Sequence, residues 1–85
     1  MGIEIEIVPV TDLIEKHNAI GRSKYPEQQI LIDVSATPID SIMQAYYHEK
    51  THWILYLMGE KELQLNEKFV DLFAHILYQS DKSAE

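Results

Sequence analysis

His48-Glu49-Lys50-Thr51-His52 spell H-E-x-x-H, a set of residue types and a spacing that packing alone does not call for. In a helix, positions four apart share one face about a turn from each other. Both imidazoles can then reach one zinc ion while Glu49 stands beside them to handle a proton. A catalytic zinc site takes three protein ligands and leaves one position for water. The chain has no cysteine, which excludes disulfides and thiolate metal sites, so every ligand must be His, Asp or Glu.

Two carboxylates qualify as the third ligand. Glu67 lies fifteen residues after His52, in the first turn of a second helix that can fold back beside the first, and Asp71 follows one turn later. Asp71 can instead accept a hydrogen bond from the far nitrogen of a zinc-bound imidazole and fix its tautomer. Spacing alone leaves these two roles exchangeable. Glu49 has the part of general base: it takes a proton from the zinc-bound water during attack on a peptide carbonyl and returns it to the leaving amine. Tyr25, Tyr46, Tyr47, Tyr56, Tyr78 and His75 are all chemically able to stabilise the developing oxyanion. Plainer readings exist for each residue. The His pair can be an exposed polar stripe, Glu67 can merely complement a helix dipole, and His17 and His75 read as surface residues. The helical context and the downstream carboxylate favour the metal reading.

The elements that must position these groups follow from periodicity. Ile3, Ile5 and Ile7 alternate with Glu4 and Glu6, which predicts a strand over about residues 3–9 with one buried face. Residues 11–17 are compatible with a helical turn capped by Thr11 or Asp12, but the pattern is too short to decide. Gly21 and Lys24-Tyr25-Pro26-Glu27 carry turn chemistry, and a short strand at 19–23 is expected to pair as a hairpin with the run Gln29–Val34. Thr37-Pro38-Ile39-Asp40 reads as a helix start, with Thr37 as cap, Pro38 at the first helical position and Asp40 favouring the positive helix end. Apolar residues from Ile39 to Met58 predict one long helix stopped by Gly59, and His48 to His52 lie inside it. After a polar loop, Asn66 is a cap for a second amphipathic helix bearing Phe69, Val70, Leu72, Phe73, Ile76 and Leu77 and ending near Gln79. The expected fold is therefore α+β: a small antiparallel sheet of two or three strands packed on two helices, the first carrying the motif. Trp53, Phe69 and Phe73 are assigned to the core. Residues 1–80 make a single domain, and 81–85 a frayed polar tail.

Composition narrows the function. A chain of 85 residues has room for one modest core but not for a separate recognition module. The formal net charge of −7 argues against a nucleic-acid partner, because binding to the phosphate backbone needs clustered Lys and Arg. No apolar run approaches the ~20 residues that span a bilayer, and the N-terminal segment lacks the pattern of a signal peptide. A cytoplasmic protein acting on a protein or peptide, with no membrane contact, is the expectation.

The stretches His48-Glu49-Lys50-Thr51-His52-Trp53-Ile54-Leu55, Asn66-Glu67-Lys68-Phe69-Val70 and Leu77-Tyr78-Gln79 resemble the small phage-type zinc metallopeptidases called minigluzincins, relatives of the ImmA/IrrE-type metallopeptidases. The resemblance runs over roughly residues 19–80. It implies a zinc site of His48, His52 and Glu67 with Glu49 as general base, in a minimal zincin core. It also implies peptide-bond hydrolysis, with phage or bacterial regulatory proteins as targets and a bacterial host or its phage as the source. The competing expectations are a zinc-stabilised, non-catalytic protein-binding module of the same fold and a metal-free helical interaction module.

Overall fold

The computed structural model describes residues 4–83, in the order β1 (Glu6–Val10), α1 (Leu13–His17), β2 (Gly21–Lys24), β3 (Gln29–Asp33), α2 (Ile39–Met58), α3 (Lys61–Gln64) and α4 (Glu67–Ser83). The class is α+β, as expected, but the sheet is mixed. Its order is β1-β3-β2, with β3 parallel to β1 and antiparallel to β2. The expected hairpin forms, with Gly21 opposite Ile32 and Lys24 opposite Gln29. Alternation in β1 indicated a strand but carries no information about its direction relative to a partner. The chain reverses at 25–28, where Gln28 adopts φ 54° and its N–H bonds the Tyr25 carbonyl. Gly21, read as part of that turn, instead sits inside β2. Ile3 lies outside the described residues. Ile5 packs on the core, whereas Ile7 is 46% exposed, so the isoleucine face of the first strand is only partly buried.

The layers are sheet, α2 and α4, with α2 in the middle. Between the sheet and α2 lie Ile30, Ile32 and Trp53, flanked by Ile5, Tyr25, Ile42, Ala45 and Tyr46. Between α2 and α4 lie Tyr47, Ala74 and Tyr78. Trp53 is buried beside the His pair, and truncating a buried Trp to Ala costs about 3–5 kcal/mol, a large part of a small domain's net stability. Of the residues assigned to the core, Trp53 is buried and Phe69 half-buried, whereas Phe73 is exposed, because α4 turns Val70, Ala74 and Tyr78 onto α2; Leu72 and Ile76 of the same amphipathic pattern are more exposed still. The spacing of two adjacent apolar stripes on one helix does not reveal which of them is covered.

Local chemistry sets the helix ends. The α2 helix begins at Ile39, so Pro38 rather than the expected Thr37 takes the capping position, with no side-chain cap bond, and the helix stops at Gly59, which takes φ 76° and bonds the Leu55 and Tyr56 carbonyls. Asn66 caps α4 as expected: its Oδ1 accepts from Phe69 N–H at 3.1 Å and its carbonyl from Val70 N–H. The intervening loop contains the short α3, which its polar composition did not indicate. The helix α4 continues to Ser83, so the tail expected from residue 81 is helical that far. Tyr47 donates to Asp81 there, and Tyr78 donates to Asp40 Oδ1 at 2.6 Å, which ties the end of α4 to the start of α2. The Asp40 bond, foremost, holds the Tyr78 phenol above its ordinary pKa, and burial adds to it.

The segment 11–17 is settled by a residue far along the chain. Neither Thr11 nor Asp12 is seen to cap α1 through its side chain; Ile14 N–H donates to Asp33 Oδ2 at 2.9 Å. The other oxygen, Oδ1, accepts from Ser35 N–H and Ser35 Oγ. Asp33 is fully buried, and these donors, the Ile14 amide first, hold its carboxyl below the usual carboxylate range. A folded-state pKa below the unfolded value of about 3.9 stabilises the protein above that pH, and the contribution is lost as pH falls through the folded value. Asp33→Asn is expected to be less stable at neutral pH and to lose less on acidification below about pH 4. Melting temperatures of both proteins across that range measure this, and parallel curves would refute it.

Candidate metal centre

At about 100° per residue, His48 and His52 fall on α2 between the face that meets the sheet, Ala45 and Trp53, and the face that meets α4, Tyr47 and Thr51. They line the seam between two layers rather than a surface stripe. Thr51 inside the motif is buried and donates its hydroxyl to the Tyr47 carbonyl at 2.9 Å, so a polar residue is satisfied within the helix itself. Lys50 lies over the Tyr46 and Tyr47 rings, 5.8 and 5.5 Å from their centroids.

The start of α4 closes the group. Glu67 Oε2 is 3.3 Å from His48 Nε2, Glu67 Oε1 is 3.2 Å from His52 Nε2, and the two Nε2 atoms are 3.2 Å apart. One ligand atom from each of the three residues lies within 4.8 Å of the others, an arrangement able to hold a metal ion. Asp71 Oδ1 is 2.7 Å from His48 Nδ1. The two carboxylates that spacing left exchangeable thus occupy different places: Glu67 spans both Nε2 atoms, and Asp71 meets the far nitrogen of His48. When His48 Nδ1–H donates to Asp71 Oδ1, Nε2 of a neutral imidazole is left as an acceptor with a lone pair free for a ligand.

The two histidines are not equivalent. His52 is the more buried, and its polar contacts are all made through Nε2, because its Nδ1 has no hydrogen-bond partner among the described residues. Glu67 and Asp71 remain largely exposed at the rim.

Glu49 does not join the metal-binding group. It points toward the sheet, where Ser23 Oγ on β2 donates to its Oε1 at 2.7 Å. A Cβ added at Gly21 would lie 3.0 Å from Glu49 Cγ, so β2 approaches the helix closely here. Neither contact was legible in the sequence; the only signal was a small residue and a hydroxyl residue two apart in an expected strand. Burial, foremost, raises the Tyr25 phenol, and the charges of Glu49 and Glu67 push the same way.

A cavity of about 700 Å³ opens beside the group, bordered by Asn18 to Gly21, by Ser41, Gln44, Ala45, His48 and Glu49 of α2, and by Asp71, Ala74 and His75 of α4. Among the side chains able to stabilise an oxyanion, His75 lines this cavity. Tyr47 and Tyr78 direct their hydroxyls to Asp81 and Asp40, and Tyr25 donates to Gln64 at 3.3 Å. Among the described residues no helix is long and apolar enough to cross a membrane. No family model matches the chain, and neither a curated protein nor a solved structure matches it.

Proposed function

We propose that this protein is a minimal zinc-dependent peptidase of the gluzincin type, with His48, His52 and Glu67 as metal ligands and Glu49 as general base. The observation that carries the reading is the spacing of the three donors. Ligand atoms about 2.0–2.1 Å from a tetrahedral zinc stand about 3.3 Å from one another; the two Nε2 atoms are 3.2 Å apart, Glu67 turns a different carboxylate oxygen to each of them, at 3.3 and 3.2 Å, and one ligand atom from each of the three residues lies within 4.8 Å of the others. Two imidazole nitrogens and one carboxylate would leave a fourth position for water, as catalytic rather than structural zinc sites do. Bound zinc would supply a water of pKa about 7 and a Lewis acid for the scissile carbonyl.

The remaining chemistry belongs to side chains. Glu49, next to His48 in sequence and bordering the same cavity, accepts the proton of the attacking water and passes it to the departing amine. β2 is an outer strand of the sheet and leads into the cavity, so an extended peptide can lie along it. The substrate is accordingly a protein or peptide segment, with bacterial or phage regulatory proteins as the class to examine. The direct test is metal analysis of protein prepared without a histidine tag, followed by cleavage of a quenched-fluorescence peptide library with and without chelator. One zinc per chain and chelator-sensitive cleavage support the reading. Zinc without cleavage supports a zinc-stabilised binding module, and no zinc excludes both.

Asp71 gives a graded prediction. A carboxylate on the far nitrogen of a metal-bound imidazole orients the ring and raises its basicity, and losing such a partner typically weakens metal binding 10- to 100-fold. Asp71→Asn is expected to weaken zinc affinity by about that factor. Competition against a chromophoric chelator measures it, and unchanged affinity would show that Asp71 is only a surface carboxylate.

A further inference from the structure

Glu49 is held from the sheet side at two points, and both belong to β2. Residues two apart in a strand face the same way, so Gly21 and Ser23 address the helix together. At Gly21 the missing side chain is what admits the Glu49 stem, since a Cβ there would meet Glu49 Cγ at 3.0 Å and Ala45 Cβ at 3.4 Å. At Ser23 the hydroxyl donates to Glu49 Oε1 at 2.7 Å, across 26 positions of sequence and in a partly buried setting.

Resting on the peptidase reading above, we infer that Ser23 is the positioning residue of the general base and that Gly21 provides the space in which the base is seated. A free Glu side chain samples several rotamers, only some of which bring an oxygen to the water being activated. The Ser23 bond occupies one oxygen and fixes the stem, which leaves the other oxygen to take the proton. The same contact makes the base sensitive to the outer strand: a peptide lying along β2 presses on the element that seats Glu49. Misplacing a catalytic group by about 1 Å can cost 10²-fold in rate, which sets the scale of the effect.

The test compares Ser23→Ala, Ser23→Thr and Gly21→Ala with the unmodified protein, all zinc-loaded, on a peptide found in the library screen. Ser23→Ala is expected to lose about 10- to 100-fold in kcat with KM and zinc content unchanged. Ser23→Thr, which keeps the hydroxyl, is expected to restore most of it. Gly21→Ala is expected to lower kcat by crowding the stem. A second readout needs no activity: NMR of the metal-free protein, following the γ-methylene protons of Glu49. These protons should be resolved from each other in the unmodified and Ser23→Thr proteins and averaged in folded Ser23→Ala. Cleavage that needs Glu49 but proceeds at full kcat in Ser23→Ala overturns this inference alone, as does a Glu49 spectrum unmoved by that change. A zinc-loaded, unmodified protein that cleaves nothing in the library overturns the peptidase reading beneath it.

Discussion

Glu49→Gln is expected to keep one zinc per chain and to lose about 10²- to 10⁴-fold in kcat, the usual worth of a positioned general base. The amide has the shape of the carboxylate and can still accept the Ser23 hydroxyl bond, so the β2 contact survives. What it lacks is basicity: it cannot take the proton of the attacking water. Glu49 is also outside the group of donors able to hold a metal ion, which is formed by His48, His52 and Glu67. The loss should therefore appear in kcat, with metal stoichiometry unchanged. Elemental analysis together with cleavage rates on a single library peptide measures both. If the purified variant cuts as fast as the unmodified protein, Glu49 is not the base and the proposed mechanism fails.

The second large effect is on stability. Free zinc a thousandfold above its Kd adds about 4 kcal/mol to the native state by mass action, which for a domain of this size raises Tm by about 15–30 °C. The protein's own contacts at this point are weak by comparison. Glu67 is largely exposed, and an exposed pair of this kind contributes about 0–1 kcal/mol. A metal ion there would join the middle of α2 to the first turn of α4, adding a link between two layers that already pack through Tyr47, Ala74 and Tyr78. His52→Ala removes one of three protein bonds and is expected to abolish the shift, with zinc content falling to background. Melting curves of both proteins with added zinc and with chelator decide it. Superimposable curves for the unmodified protein, after verified loading and removal, would mean that no ion links the helices.

The local pattern of the chain determined those parts of the fold whose causes are local. The span of α2, the stop at Gly59 and the Asn66 cap of α4 follow from side-chain periodicity, a glycine free to take positive φ and an amide able to reach the N–H three residues on. The pairing of β2 with β3 likewise followed from two short strands across a turn. The presence of His48 and His52 on one face is a consequence of helix geometry, and so was legible before any tertiary contact was considered.

The remainder depended on which surfaces meet. The parallel pairing of β1 with β3, and the exposure of Leu72, Phe73 and Ile76, depend on how whole elements dock, and an alternating or amphipathic pattern fits more than one docking. The N-terminus of α1 is capped by Asp33, nineteen positions away, because folding brings the end of β3 beneath that turn. The same distinction runs through the site. The sequence by itself determined the donor types and placed both histidines on one helical face. Only the tertiary structure assigned Glu67 to the Nε2 atoms and Asp71 to Nδ1 of His48, because two carboxylates one turn apart on α4 are chemically alike until the packing of α4 on α2 decides the height and rotation at which each meets the imidazoles.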